Sequence, residues 1–173
     1  MIPNDAYLHL LLNHFPIIGA FLATLLLLYA LVMGKDPVIR AALLMAVLVS
    51  LLAIPANKTG HGAAKIVKQM PLVERHMVGE HEDRAKKAAL AIWITGGFAA
   101  LGLLAAGRGE VPKWAAAGTL ALLIASSGLM AWTARAGGQI HHAETRPGFI
   151  VPAVSTGSGG GGGHGQGNDD HSH

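Results

Sequence analysis

The sequence predicts an all-α integral membrane protein, a four-helix transmembrane bundle with a short interfacial helix between spans two and three. Three observations carry this. Hydrophobic residues make up 51% of the chain and charged ones only 13%, the balance of a small polytopic membrane protein rather than a soluble domain. The aliphatic residues gather in four runs, each near or above the roughly 20 residues that cross a bilayer. Stretches rich in glycine, proline or charge separate those runs.

Tyr7 to Met33 is one apolar run of about 27 residues, ended by Gly34-Lys35-Asp36-Pro37. Its N-terminal flank carries Asp5 and no basic residue, and the run outlasts an h-region, so it reads as a retained first span and not a signal peptide. Ile39 to Ala56 is the second span, short and closed by Pro55. In the connection Asn57 to Lys87, the residues Ala63, Ala64, Ile66, Val67 and Met70 recur at helical spacing opposite Lys65, Lys68 and Gln69. That pattern predicts the interfacial helix. From Leu72 a second helical stretch runs into the third span, Ala88 to Ala106, which Gly107 to Pro112 ends. The fourth span is Trp114 to Ala134, with Trp114 and Trp132 placed as interfacial anchors. Small residues at intervals of four, Gly96 and Ala100, then Ala117, Ala121 and Ala125, suit close helix packing. Residues 1–150 thus form one four-span domain. Residues 151–173, with an unbroken glycine run from Gly159 to Gly163, read as a disordered tail. No internal repeat is legible.

Ten histidines against two tyrosines is the compositional outlier. Four spans put the N-terminus, the long connection and the C-terminus on one side of the membrane. His9, His14, His61, His76, His81, His141 and His142 therefore share that side. Titratable groups at membrane depth are costly, and they usually face a bundle interior, a cofactor or an ion path. At about 100° per residue, His9 and His14 point about 140° apart, as do His76 and His81. Neither pair can clamp one ion from a single helix face. Each helix instead offers one inward histidine: His14 in line with Leu10 and Ile18, and His81 with Met77 and Ala88. His9 reads as interfacial, His61 as solvated, and His76 as a surface partner of Glu80. Pro16 lacks an N–H, which leaves the carbonyl of Leu12 free.

His14, His81 and one of His141 and His142 stand on three helices and suit a b-type haem or a bound Zn, Cu or Fe ion. Asn13, Glu80, Glu82 and Glu144 lie close enough in sequence to orient them. The tail histidines His164, His171 and His173 suit loose Cu(II), Ni(II) or Zn binding, and a solvated tail without function accounts for them equally.

Several chemistries are excluded. With no cysteine there is no disulfide, iron–sulfur cluster, thiolate metal site or c-type haem attachment. No Gly-rich phosphate loop, HExxH helix or Gly-x-Ser-x-Gly elbow occurs, and Asp83-Arg84-Ala85 follows His81-Glu82 where a zinc protease needs its second histidine. Every Asp and Glu lies in a connection or the tail, which argues against a proton- or cation-coupled transporter. The basic residues lie in the connections, so nothing points to nucleic acid. Lys35 and Arg40 after the first span favour a cytoplasmic placement of that turn. Lys58, Lys65, Lys68, Arg75, Arg84, Lys86 and Lys87 in the long connection oppose it.

The strings Leu8 to Ile17, Ile54-Pro55-Ala56 with Thr59-Gly60, His81-Glu82, and Gly137 to Ile140 with His142-Ala143-Glu144 resemble a family of small bacterial four-span membrane proteins of unknown function. The resemblance covers residues 7 to 146. It implies a histidine-bearing four-helix bundle that binds haem b and works beside respiratory or redox proteins. It singles out His14, His81 and His142, and less firmly His9. Where the family carries a basic residue before the last histidine, this chain has His141. The first functional expectation is thus an electron carrier rather than a stand-alone enzyme, with no catalytic residue assigned and quinol or another redox membrane protein as partner. It would sit in a bacterial inner membrane with both termini on the periplasmic side. The alternatives are a metal-handling membrane protein and a non-catalytic subunit of a larger complex; oligomeric state stays open.

Overall fold

The computed structural model describes residues 4–71, 73–146 and 148–150. Among these, α1 (Asp5–Leu12) and α2 (His14–Met33) form the first rod, joined through Asn13, whose dihedrals are helical and whose N–H bonds the His9 carbonyl. Three longer helices follow, α3 (Asp36–Val67), α4 (Arg75–Ala106) and α5 (Lys113–His141), and then a 3-10 turn, Ala143–Thr145. No strand occurs among the described residues. The stretches Asp5–Met33, Asp36–Val67, Arg75–Ala106 and Lys113–Ile140 are each long and apolar enough to cross a membrane. The predicted four-helix transmembrane bundle is present.

The interfacial helix is not a separate element. Residues 63–67 are the last turns of α3, which runs straight through Pro55. Proline removes one helical N–H, and here the Thr59 hydroxyl donates to the carbonyls of Pro55 (2.9 Å) and Ala56 (3.1 Å), steadying the turn that follows. At 1.5 Å per residue a 32-residue helix spans about 48 Å, against a hydrocarbon core of about 30 Å. One end of α3 therefore stands clear of the apolar layer. Helix α4 likewise begins at Arg75, well before the apolar run at Ala88; Leu72 and the tail, with His164, His171 and His173, lie outside the described residues.

The bundle is two helical hairpins that repeat in register. Gly34 and Gly107 end the first helix of each with positive φ, 61° and 49°, where L side chains are strained. The second helices start at Asp36 and Lys113. Twenty residues on stand Ala56 and Thr133, and 24 on stand Gly60 and Gly137. That spacing matters at the site below.

Small residues fill the interior. Ala20, Ala23, Ala42, Ala46, Ala99 and Ala115 are fully buried, while Phe21, Leu25, Tyr29, Leu48 and Leu101 point outward. Lipid solvates large aliphatic groups as well as a core does, so close backbone approach and hydroxyl bonds supply the cohesion. Ser126 bonds Thr95 at 2.9 Å and Ser127 bonds Thr24 at 3.3 Å. The row Ala117, Ala121 and Ala125 faces outward, contrary to its expected packing role, while Gly96 is buried against Ser50. At the end without histidines, Asp36 accepts from Arg40 (2.9 Å) and from the Val111 N–H (2.6 Å), and Arg40 also donates to the carbonyls of Gly107 (3.1 Å) and Gly109. This latch joins the two hairpin turns.

Candidate functional site

At the opposite end the hairpins part around a cavity of about 610 Å³. His9, His14, His61, His81 and His142 all line it, so histidines from α1, α2, α3, α4 and the end of α5 do share one end of the bundle. His76 stands apart, exposed and 3.6 Å from Glu74. The side chain of His141 lies outside the described set.

Two rings meet. His9 and His81 lie with ring centres 6.5 Å apart and planes inclined at 70°. His9 Nδ1 contacts the carbonyl of Ala56 at 3.0 Å, and His81 Nδ1 that of Thr133 at 3.1 Å. A carbonyl only accepts, so each Nδ1 carries the proton, and in the neutral ring Nε2 keeps a free lone pair. The register repeat explains the match. Each histidine comes from the first rod of a hairpin, bonds the carbonyl 20 residues past the start of the second helix, and packs against the glycine 24 residues past it. A Cβ on Gly60 would come within 3.0 Å of His9 Cε1, and one on Gly137 within 3.0 Å of His81 Cε1. A Cβ at either place would push the ring back by a few tenths of an ångström, so glycine allows the closest approach of ring to helix.

The other histidines are held locally. His14 Nδ1 donates to Leu10 O and His61 Nδ1 to Asn57 O, both at 2.9 Å and four residues back on their own helices. His142 donates to Glu144 at 2.8 Å, with both groups exposed. The Glu144 carboxyl sits below its ordinary range because its own backbone N–H and then His142 bond the charged form. Glu82 accepts from Lys68 at 2.5 Å and Glu80 from Arg84 at 3.1 Å, so neither orients His81; a backbone carbonyl does. Asn13 lines the cavity with its buried Oδ1 unpaired, a polar atom that an occupant can satisfy.

The inward stripe expected through His14 is corrected. Leu10 and Ile18 are 63% and 55% exposed, and His14 is exposed with them on the rim of the cavity. In lipid the large apolar stripe faces outward, and the inward face of α2 is Pro16, Ala20, Ala23 and Leu27. His9, read from sequence as interfacial, is the residue brought against His81. Its signal was available in the small residues opposite: Ala56 with Gly60, and Thr133 with Gly137, mark where a ring can lie on a helix.

Among the described residues no group of three or more His, Cys, Asp or Glu side chains is disposed to hold a metal ion. Two imidazoles bound to opposite sides of one metal, each at about 2.0–2.1 Å, have ring centres roughly 6–6.5 Å apart, whereas a tetrahedral pair comes to roughly 5 Å. The observed 6.5 Å fits the first arrangement. Alanines, Ala53, Ala63, Ala85 and Ala134 among them, share the lining of the cavity with larger apolar side chains such as Ile17, Val78 and Met130. No family model, characterised protein or solved structure matches the chain.

Proposed function

We propose that this is a membrane-embedded b-type cytochrome that holds one haem between His9 and His81 and carries electrons at a single membrane surface. The observation that carries the reading is the pair itself. Two imidazoles from different hairpins are held as Nδ1–H tautomers by backbone carbonyls, with ring centres 6.5 Å apart. Backbone acceptors of this kind fix ring orientation and raise ligand basicity. A cavity of about 610 Å³ falls within the size of small-molecule and cofactor sites.

A haem there supplies reversible one-electron chemistry, tuned by its axial ligands, hydrogen bonds and burial. The chain's own groups do the rest. His9 and His81 would hold the haem through their Nε2 atoms, and with both imidazoles so engaged the group would favour electron transfer over binding of an external ligand. Asn13 offers its amide to the bound group, and the Lys68–Glu82 ion pair borders the cavity. The reading is in keeping with the four-span bacterial family that the Leu8 to Ile17 string resembles. Lys35 and Arg40 at the far turn support a cytoplasmic position for that end, hence a periplasmic cavity in an inner membrane, with quinol or a redox membrane protein as electron source.

The test is a visible spectrum of the purified protein, oxidised and dithionite-reduced, with haem counted per chain. A Soret band with sharp reduced α and β bands at one haem per chain is expected. A colourless protein from haem-replete cells sinks the proposal.

A further inference from the structure

The outer face of the α4–α5 pair carries a second cluster, apart from the cavity. The Arg84 guanidinium lies 4.5 Å from the centre of the Trp132 ring, and Lys87 Nζ lies 5.7 Å from it. Arg84, Trp132, Arg135 and Gln139 line a recess of about 250 Å³. Trp132 is 42% exposed and Arg135 is exposed. Of the nearby carboxylates, Glu80 pairs with Arg84 at 3.1 Å and Asp83 with Lys86 at 3.1 Å. Among the described residues no carboxylate pairs with Arg135 or Lys87. Two cations thus lie over one tryptophan and a third lines the same recess, with Glu80 paired against one of them.

The depth of this cluster follows from α5. Trp132 lies 18 residues beyond Trp114, about 27 Å along a helix, and the hydrocarbon core is about 30 Å thick. Two tryptophans at that separation on one helix mark the two membrane interfaces. The recess then opens at the level of lipid phosphates, on the face turned towards lipid.

We propose that this recess binds the phosphodiester of an anionic phospholipid. Arg84 and Arg135 hold the phosphate, since guanidinium matches its oxygens in a fork geometry. Lys87 adds charge, Gln139 offers hydrogen bonds to a polyol headgroup, and Trp132 walls the glycerol and upper acyl chain. A zwitterionic choline lipid presents the same phosphate with its own cation, which the three cations repel. Arg135 follows Thr133, whose carbonyl bonds His81, and Arg84 follows His81 on the same helix. The proposal does not rest on any cofactor.

Native mass spectrometry and thermal unfolding in neutral detergent test it, with phosphatidylglycerol, phosphatidylcholine and inorganic phosphate added separately. Phosphatidylglycerol is expected to persist as an adduct and raise the melting temperature, and the other two are not. Arg135→Gln should weaken retention about fivefold, and adding Arg84→Gln should bring the loss to about twenty-five-fold, since each basic residue near an anionic lipid surface contributes a similar increment. Arg108→Gln, at the far turn, should leave it unchanged. Equal retention of phosphatidylcholine, an equal shift with inorganic phosphate, or undiminished retention in Arg135→Gln each overturns the proposal. Because Arg135 is an exposed side chain, that single variant decides the matter if the double variant fails to fold.

Discussion

His9 and His81 face one another across the two hairpins with ring centres 6.5 Å apart, each anchored through Nδ1 to a carbonyl of the neighbouring helix. His14 and His61 are anchored too, but to their own helices, and a ring tied four residues back moves with its helix alone. Only the first pair is fixed by both partners of a helix–helix contact, and that rigidity is what a shared ligand requires.

The first prediction separates these groups. His9→Ala and His81→Ala should each abolish the low-spin haem spectrum, because a single imidazole would no longer hold the group from both hairpins. His14→Ala and His142→Ala should keep haem at full stoichiometry. Pyridine haemochrome counts on the four purified variants check this. Full retention in His9→Ala would remove the pair from consideration.

The second concerns the glycines under the rings. Alanine is favoured over glycine in a helix by about 1 kcal/mol, whereas overpacking costs about 1–3 kcal/mol. At Gly60 and Gly137 the new Cβ would meet a histidine ring atom at 3.0 Å, while at Gly138 nothing lies within 4 Å. Gly138→Ala should therefore raise the melting temperature of the haem-free protein slightly. Gly60→Ala and Gly137→Ala should change it little, yet lower haem retention by displacing the ring. Side-by-side melting curves and haem titrations report the two effects separately.

Much of this architecture is legible in the residues, for a reason that also limits it. Spans announce themselves because the bilayer demands long apolar runs, and glycines such as Gly34 and Gly107 mark their ends. Four-span topology alone brings the histidines to one end. Which histidine faces inward is not legible from the apolar stripe, because lipid rewards a large aliphatic face as readily as a core does. Leu10 and Ile18 therefore misdirect attention to His14. The register repeat is only half legible: Gly60 and Gly137 mark helix faces that a ring can approach, but Ala56 and Thr133 share no chemistry beyond a carbonyl, so nothing in the residues says which rings go there.

A third prediction concerns pH at the rim. Glu144 has a lowered pKa in the folded protein, so between its ordinary value of 4.5 and the folded value the unfolded chain binds more protons. Its contribution to stability is complete above that window and is lost as pH falls through the folded value. The carboxyl of Glu144 should titrate with a midpoint below 4.5 by NMR, and His142→Asn should move the midpoint upward. An unchanged midpoint in that variant would show that the backbone N–H acts alone.

The last prediction addresses what holds the rods together at mid-membrane. Thr95 is fully buried, and its hydroxyl donates to the Ala91 carbonyl at 2.8 Å, so at the 2.9 Å contact Ser126 is the donor and Thr95 the acceptor. Interhelical hydrogen bonds in membranes average about 0.6 kcal/mol and reach at most about 1.7 kcal/mol, because helices separated in lipid also find partners. Ser126→Ala should therefore cost little, and a double-mutant cycle with Thr95→Val should return a coupling within that range. Gly96→Val is expected to cost more, since its new atoms would run into the Ser50 side chain on α3. If the hydroxyl pair proved the costlier loss in detergent unfolding, small-residue packing would not be the main cohesion of this bundle.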